Sequence, residues 1–581
     1  MPAKIASGSD ILYYGDNLTI LRNRNYIKDE SVDLVYIDPP FNSNVSYNVL
    51  FKGQHGSRAA AQIKAFSDTW RWDDGVSESF DEITAGGGKV SQALRAFRQL
   101  MDTSDMLAYL TMMAPRLVEL HRVLKPTGNL YLHCDPGASH YLKILLDAIF
   151  GPENFRNEIV WMRTGSKGLT TRRLPRNHDL LLSYQCSEAS TWNGEAIYTP
   201  YNVTALDTKT ATKYRHRDPD GRLYRLDNLI NPNPNRPNLT YEFLGVTRTW
   251  RWTRDRMQTA YEAGIVVQTR PGAVPSLKRF IDEQRGRPFS DVWTDIDPLN
   301  SQARERQGYP TQKPVALLKR IIECASNPGD VVLDAFCGCG TAISAAQQVD
   351  RRWIGIDVTF AAITVIRNRL RDEFPDMPPP RVIGEPETLE DAEVLATTDR
   401  YQFQWWVLGR VGGRPAQEKK GADGGIDGRL YFDDEDNGYA KEVIISVKSG
   451  PIPSTHIREL RGTVEGAGAA IGVLLTYHPP TLKMRQEAAR AGTYESLRWG
   501  KRYPRLQILT VADLLAGKEI KCPPLSQTNR TFAKSPRHKA PDDSFQPPLH
   551  NMNLLDVSAQ EETAVPPLRA VGGKRERGIG D

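Results

Sequence analysis

The sequence predicts an α/β protein built on a parallel, doubly wound sheet, with a long irregular insertion and a second, smaller α/β unit behind it. Three observations predict this class. Strand-length apolar runs alternate with helical patterns over residues 1–185 and again over 301–374, and such alternation buries a sheet between two helical layers. Residues 186–300, between them, are rich in Asn, Pro, Thr, Arg and aromatics and have weak periodicity. A further α/β pattern occupies residues 400–520.

The elements follow in order. Ile11 to Tyr14 reads as a short strand ending at Gly15-Asp16, and Val32 to Ile37 as a second ending at Asp38. A helical pattern from Met106 to Leu124 precedes a Pro126-Thr127-Gly128 turn and a third strand from Asn129 to Cys134. A helix from His140 to Ile149 and a strand from Leu180 to Tyr184 close the first stretch. After the insertion come a helix from Val315 to Ala325, a strand from Val331 to Ala335 and a glycine loop. A helix from Ala342 to Gln348, a strand from Trp353 to Asp357 and a helix from Ala361 to Arg371 follow. The proline run from Pro375 to Pro380 opens a linker over 375–399, and residues 521–581 have the composition of a disordered tail.

Composition excludes several classes. Of 581 residues, 40% are hydrophobic and 25% charged, ordinary values for a globular chain. No apolar run approaches the roughly 20 residues of a membrane helix, and the nearest, Ala469 to Tyr477, reads as a buried strand. The first ten residues lack a signal-peptide pattern, so a cytoplasmic location is expected. Six cysteines make no disulfide framework. Cys337 and Cys339 have metal-like C-x-C spacing, but they sit inside the glycine loop with no second pair, which favours a plain turn. The net charge of +5 is weakly basic and selects no partner by itself.

Four motifs carry chemistry. Asp38-Pro39-Pro40-Phe41 follows a strand. Its prolines fix φ and remove backbone donors, leaving the Asp38 carboxylate and the Pro39 carbonyl as rigid acceptors. Two acceptors can hold the two hydrogens of an exocyclic amino group and turn its lone pair toward an electrophile, while Phe41 offers a face for an extruded base. Asp334-Ala335-Phe336-Cys337-Gly338-Cys339-Gly340-Thr341 joins a strand to a helix, and its glycines permit close approach to a ligand at the helix start. Asp357, at the next strand end, can accept from two ribose hydroxyls. Tyr309 to Pro314 opens a helix, and Asp16 ends the first strand. Taken singly, each of these also fits an ordinary turn or cap.

In this order the motifs resemble the β group of DNA amino-methyltransferases, with a D-P-P-F motif before an F-x-G-x-G loop, over roughly Ile11 to Arg371. The resemblance implies a circularly permuted Rossmann-like fold. Residues 1–185 would be its catalytic half, 186–300 a target-recognition region and 301–374 the cofactor half. S-adenosylmethionine would be the cofactor, bound by Asp16, Lys313, Asp334, Phe336, Gly338, Gly340, Thr341 and Asp357. Lys313 would lie near its carboxylate, Asp16 near its adenine and Asp357 on its ribose. Asp38, Pro39, Pro40 and Phe41 would be catalytic. Asp at the first motif position usually accompanies adenine N6 methylation, with cytosine N4 as the alternative.

Double-stranded DNA is the implied substrate. Just ahead of the insertion, Arg163, Lys167, Arg172, Arg173 and Arg176 form one basic cluster, and within it Arg248, Arg251, Arg254 and Arg256 a second. Tyr198, Tyr201, Tyr214, Tyr224, Trp250 and Trp252 lie among them, most expected in a local core. Asp423, Asp427 and Lys448 resemble a PD-(D/E)-x-K nuclease core in an Mrr-like restriction-endonuclease form, which implies Asp427 as a Mg²⁺ ligand and Lys448 as its catalytic partner. Ser446 stands where that family expects Asp, Glu or Gln, and Gln404 where many relatives have Glu, so the domain reads as either a nuclease or a DNA-binding or assembly domain that kept the fold and lost the chemistry. The remaining readings are a recognition subunit for a separate restriction or motor subunit, and a single chain that methylates and cuts. No phosphate-binding motor loop is present, and a dimer is compatible with the sequence.

Overall fold

The computed structural model describes residues 10–40, 71–165, 174–299, 303, 305–307, 312–415, 425–434 and 440–525. Its largest element is a nine-stranded sheet. In chain order the strands are β1 (Ile11–Tyr14), β2 (Val32–Ile37), β3 (Leu124–Cys134), β4 (Phe155–Met162) and β5 (His178–Gln185), then β6 (Val292–Trp293), β7 (Val331–Asp334), β8 (Arg352–Asp357) and β9 (Arg381–Ile383). They lie in the order β6-β4-β5-β3-β2-β7-β8-β1-β9. Every pairing is parallel except the two made by β5.

Successive residues of a strand point to opposite faces, and the core divides accordingly. Ile11, Tyr13, Val35, Ile37, Leu130 and Leu132 share one cluster with helices Gly88–Met101, Asp105–Val123 and Ser139–Phe150. Leu12, Leu34, Tyr36 and Tyr131 belong to the other, with helices Val315–Ala325, Thr341–Gln348 and Phe360–Glu373. Both faces of the central strands are therefore covered, which parallel sheets require.

Several elements differ from the sequence reading. The expected turn at Pro126-Thr127-Gly128 is absorbed into β3, which begins at Leu124. The register with β2 slips between Val32 and Leu34, and the Lys125 ammonium holds the Asp33 carboxylate at 2.7 Å across the slip. β4 was hidden because Arg156, Asn157 and Glu158 interrupt its apolar alternation. The expected linker over 375–399 contains β9 and a helix, Leu389–Thr398. Among the described residues β9 pairs with β1 alone, and an edge strand tolerates the proline run before it.

The insertion forms small antiparallel sheets, the largest ordered Val266–Val267, Ser276–Phe280, Leu223–Asn228 and His216–Arg217. They enclose their own core of Leu229, Phe243, Val246, Trp250, Met257 and Leu277.

The C-terminal unit carries a five-stranded sheet ordered Arg414–Pro415, Gly428–Asp433, Ala440–Lys448, Ile471–Thr476 and Leu506–Thr510. Its helix Arg400–Arg410 packs on helix Phe360–Glu373, and Phe360 and Ala361 share a core with Phe403 and Trp406. The side-chain oxygen of Gln402 accepts from the Phe360 N–H at 2.9 Å. A Cβ at Gly409 would come within 2.6 Å of Thr364 Oγ1, so glycine permits the close crossing. Among the described residues, no helix is long and apolar enough to cross a membrane.

Candidate active site

Four neighbouring strands, β2, β7, β8 and β1, deliver Asp38, Asp334, Asp357 and Asp16 at or just past their C-terminal ends. The chain leaves β2 toward β3 on one side and β7 toward β8 on the other. The crevice between such diverging connections is where open α/β sheets bind ligands. Asp38 and Asp334 flank it.

Asp38 follows β2 directly, and the Lys313 ammonium donates to its Oδ2 at 2.5 Å. Lys313 is 8% exposed, so this pair is largely shielded from water. It joins the two halves of the site across 275 residues. Lys313 therefore lies against the Asp38 carboxylate. Pro39 and Pro40 continue from Asp38; Phe41, Thr311 and residues 308–310 lie outside the described residues.

Asp334 is buried at the end of β7 and accepts from the Phe336 N–H at 3.1 Å. Burial, with the charges of Asp38 and Asp357, pushes its pKa up to about 8 against the opposing Phe336 bond. Asp357 ends β8. Its Oδ2 accepts from the Gly338 N–H at 2.9 Å, and its Oδ1 from the Thr359 N–H and hydroxyl at 2.9 and 2.8 Å. Burial raises its pKa to about 6, opposed by those Thr359 and Gly338 bonds. A carboxylate perturbed this way in a crevice is a functional signature.

The loop between them is shaped by two glycines with positive φ, Gly338 (+48°) and Gly340 (+73°). A Cβ at Gly340 would stand 2.7 Å from Ile366 Cγ1. Thr341 is buried, and the buried Arg369 reaches both its hydroxyl and the Cys339 carbonyl at 3.3 Å. Arg369 in turn pairs with Glu373 at 2.9 Å. Thr341 thus braces the loop from behind. Cys337 and Cys339 are free, buried thiols, and among the described residues no cluster of His, Cys, Asp or Glu could hold a metal.

Asp16 caps helix Asn17–Arg22 by accepting from the Thr19 N–H at 2.9 Å, and its other oxygen pairs with Arg116 at 2.6 Å. Asn17 donates to the Ala335 carbonyl at 2.8 Å, which sets the end of β1 beside the glycine loop. The structure thus brings together Asp16, Asp38, Lys313, Asp334, Phe336, Gly338, Gly340 and Asp357. The loop and the Asp357 carboxylate fit a nucleoside-bearing cofactor: backbone can approach closely, and a buried acceptor faces a helix start.

The sequence reading missed a buried polar chain beneath Asp38. The Tyr36 hydroxyl meets His133 Nδ1 at 3.1 Å, and His133 Nε2 meets Asp179 Oδ2 at 3.2 Å. Arg163 approaches the other Asp179 oxygen at 3.2 Å, near enough for charge attraction though not aligned as a hydrogen bond. Burial and the nearby Lys313 lower the His133 pKa against the pull of Asp38 and Asp179. The signal was His133 itself, a lone polar residue inside the apolar run of β3. Asn17, Arg116, Thr359 and Gln402 carried no comparable signal.

The insertion's arginines are mostly tied to protein. Arg248, Arg251 and Arg254 donate to the carbonyls of Thr247, Ile230 and Glu242 at 2.9, 3.1 and 2.6 Å, and Arg256 lies over Trp252. Tyr214 and Trp250 are buried, while Tyr198, Tyr201, Tyr224 and Trp252 are half-buried. Lys167, Arg172 and Arg173 lie outside the described residues.

In the C-terminal unit, Asp427 accepts from Gln404 Nε2 at 2.9 Å, from the Ser446 hydroxyl at 3.2 Å and from the Val447 N–H at 2.6 Å, with Lys448 Nζ at 3.7 Å. Among the described residues, Asp427 faces these donors and no second carboxylate joins it, a poor fit to Mg²⁺, which needs several oxygen ligands. The expected Mg²⁺ is therefore not supported; Asp423 lies outside the described residues.

A doubly wound sheet with a glycine loop, the buried Asp357 carboxylate and the Asp38-Pro39-Pro40 motif at adjoining strand ends has the arrangement of a nucleoside-cofactor crevice. The chain belongs to the DNA methylase family, whose model matches residues 32–367. Residues 400–516 match a second family, described as a NACHT-associated inactive restriction endonuclease. Among curated relatives, the Type II methyltransferase M.EcaI of Enterobacter cloacae is 26% identical over 61% of this chain and 68% of its own. The StyLTI Mod subunit of a Type III restriction-modification enzyme, from Salmonella typhimurium, is 23% identical over 60% of this chain and 51% of its own. The chain thus spans about half of that subunit. A DNA modification methylase from Thermus thermophilus, complexed with S-adenosyl-L-methionine, aligns over 64% of this chain and 98% of its own, at 15% identity and a TM-score of 0.31.

Proposed function

We propose that the chain transfers a methyl group from S-adenosylmethionine to N6 of adenine in double-stranded DNA, as part of a restriction–modification or defence system. The observation that carries this reading is the placement of Asp38, held by Lys313, across the β2–β7 crevice from the Asp334–Gly340 loop and Asp357. An acceptor for an amino group and a seat for a nucleoside cofactor then share one strand-end row.

When bound, the cofactor supplies an electrophilic methyl group. Asp357 would accept from its ribose hydroxyls, the Gly338–Gly340 backbone would lie along it, and Asp16 with Asn17 would close the side toward its adenine. Asp38 and the Pro39 carbonyl would each accept one amino hydrogen from the target base. That orients the nitrogen lone pair rather than removing a proton, so no strong base is needed. The proton leaves after the nitrogen becomes cationic. Proximity and orientation supply most of such a rate enhancement. The aspartate at the first motif position supports adenine; cytosine N4 is the alternative on the same geometry. The restriction–modification setting draws on the relatives, one of which is a subunit of a larger enzyme, and the same likeness suggests a restriction or motor partner.

For residues 400–520 we propose a PD-(D/E)-x-K-derived fold that has lost cleavage. The donors around Asp427 and the description of the matching family as inactive support this.

The test is expression of the chain and of Asp38→Ala in a methylation-free host, with modified bases mapped by single-molecule sequencing. N6-methyladenine at one short motif, absent with the variant, is expected. N4-methylcytosine would replace the base assignment. Unmodified DNA in both strains would overturn methylation by this chain alone and favour a recognition subunit.

A further inference from the structure

One cluster of positive charge lies outside the methylase-matching residues 32–367. Residues 481–505 hold seven Lys and Arg against Glu487 and Glu495, a surplus of five, as large as the +5 of all 581 residues. The segment comprises helix Leu482–Arg490 and a hairpin of strands Thr493–Glu495 and Arg502–Pro504. Arg490 pairs with Glu487 at 3.8 Å and Arg502 with Glu495 at 3.4 Å. Lys483, Arg485, Arg498 and Lys501 are exposed and meet no carboxylate among the described residues. Leu497 and Trp499, at the hairpin tip, are 77% and 45% exposed. An aromatic and an aliphatic side chain amid unpaired cations suit a nucleic-acid groove, where cations neutralise phosphates and apolar groups press on bases.

The tip is also held in a fixed shape. The buried Asp434 carboxylate accepts from the N–H groups of Leu497 and Arg498, both at 3.2 Å, and from the hydroxyls of Tyr494 and Ser496. The Gly500 N–H closes the turn on the Ser496 carbonyl at 3.0 Å. A loop pinned by a buried carboxylate loses little entropy on binding.

Its position separates it from the relic nuclease residues. In the parallel part of the sheet Gly472 pairs with Leu506 at one end, and Lys448 with Thr476 at the other. The hairpin enters strand Leu506–Thr510 at its start, and Asp434 lies next to the start of strand Ala440–Lys448 by its pairing through Asp433. Lys448 lies four residues further along the strands than the Gly472–Leu506 row, about 13 Å at roughly 3.3 Å per residue, and Asp427 stands seven residues from Asp434 across strand Gly428–Asp433, about 23 Å.

We propose that helix Leu482–Arg490 and the 493–504 hairpin form a second, sequence-independent contact with duplex DNA, on the edge of the C-terminal sheet opposite Asp427 and Lys448. The proposal rests on the DNA-methylating reading above for the identity of the polyanion. The surface grips DNA flanking the methylated site and raises the residence of the whole chain.

The test titrates a fluorescent random-sequence 40-bp duplex with the full chain across a potassium chloride series. Arg498→Glu with Lys501→Glu is expected to weaken binding by about tenfold or more near 0.1 M salt and to cut the slope of log K against log salt by about two, one per phosphate contact. Trp499→Ala is expected to weaken binding severalfold. These side chains are exposed, so unchanged melting curves confirm folding. Unchanged affinity and slope in the charge variant would overturn the proposal. So would a loss confined to Lys448→Ala, which places DNA on the other edge. Binding to phosphatidylserine vesicles that the charge variant abolishes, with DNA binding intact, would overturn it in favour of a membrane surface. Methyl transfer at saturating DNA is expected to persist in the hairpin variants. Its absence from the unmutated chain would instead overturn the methylase reading and leave the DNA titration to stand alone.

Discussion

Lys313 Nζ lies 2.5 Å from Asp38 Oδ2 and thereby binds the segment after the insertion to the Asp38-Pro39-Pro40 segment before it. The resemblance of the sequence to amino-methyltransferases suggests instead a cofactor carboxylate for this lysine. The pair makes the two uses separable. If Lys313 holds Asp38 in register, Lys313→Ala lowers kcat by about 10²-fold, the scale of losing one preorganised electrostatic partner, while S-adenosylmethionine affinity changes little. Steady-state kinetics with calorimetric cofactor binding checks this. A weakened affinity at unchanged kcat would assign the lysine to the cofactor.

The row of carboxylates is costly to the fold, and pH exposes that cost. The pKa of Asp334 stands near 8 in the folded chain because burial favours its neutral form. A folded pKa above the unfolded one gives stability that is full at low pH and is lost as pH rises, here from about 4 through about 8. Asp334→Asn does not titrate, so it should melt several degrees above the unmutated chain at pH 9 and nearly with it at pH 4. Melting curves across that range check the sign.

Asp357 gives a functional counterpart. Its pKa near 6 means the carboxylate takes up a proton just below neutrality. Cofactor affinity is expected to fall as pH drops through 6, and Asp357→Asn is expected to be weak at every pH and to flatten that profile. Calorimetry at pH 5.5 and 7.5 measures both.

Gly340 bears the strain of the loop between Asp334 and Thr341. Its φ of +73° and the 2.7 Å approach of Ile366 to any added Cβ mean Gly340→Ala must both strain the backbone and displace a core side chain. A loss of about 2 kcal/mol or more in stability is expected, combining the left-handed penalty with overpacking. Ile366→Ala removes both γ carbons that the new Cβ would meet, so the double variant should lose less than the sum of the two single losses, by the packing component alone. Urea unfolding of the single and double variants checks the partition.

Gln402 ties the C-terminal unit to the methylase sheet through the Phe360 N–H, three residues after Asp357. Tyr14 and Phe360 stack at 3.6 Å just beside it. Gln402→Ala leaves a buried donor unmet, which costs about 1–3 kcal/mol. It should lower cofactor affinity severalfold with kcat retained. Equal affinity in the variant would confine Gln402 to a packing role.

Much of this was legible in the sequence because strand ends announce themselves. Asp38, Asp334 and Asp357 each terminate an apolar run, and a charged residue there has few reasons to exist other than a cap or a ligand. Helix Val315–Ala325 was legible from its apolar period alone. The Lys313–Asp38 pair was not, because its partners are 275 residues apart and only sheet order brings them together. β9 and β6, of three and two residues, are too short to show a period. The chain through Tyr36, His133 and Asp179 is invisible for the same reason as the ion pair: its members come from three strands. Residues 375–399 illustrate the opposite error, in which a proline run hid an edge strand and a helix.

The most direct measurement is transfer of the labelled methyl group of S-adenosylmethionine to a duplex carrying the mapped site, comparing the unmutated chain with Asp38→Ala, after calorimetry shows that both bind the cofactor alike. With acceptors for the amino group as the basis of catalysis, the label should enter adenine N6 with the unmutated chain and fall by at least about 10³-fold with the variant, beyond the loss of a single oxyanion-type donor. Transfer by the variant at the unmutated rate would contradict the role of Asp38 and the site built around it.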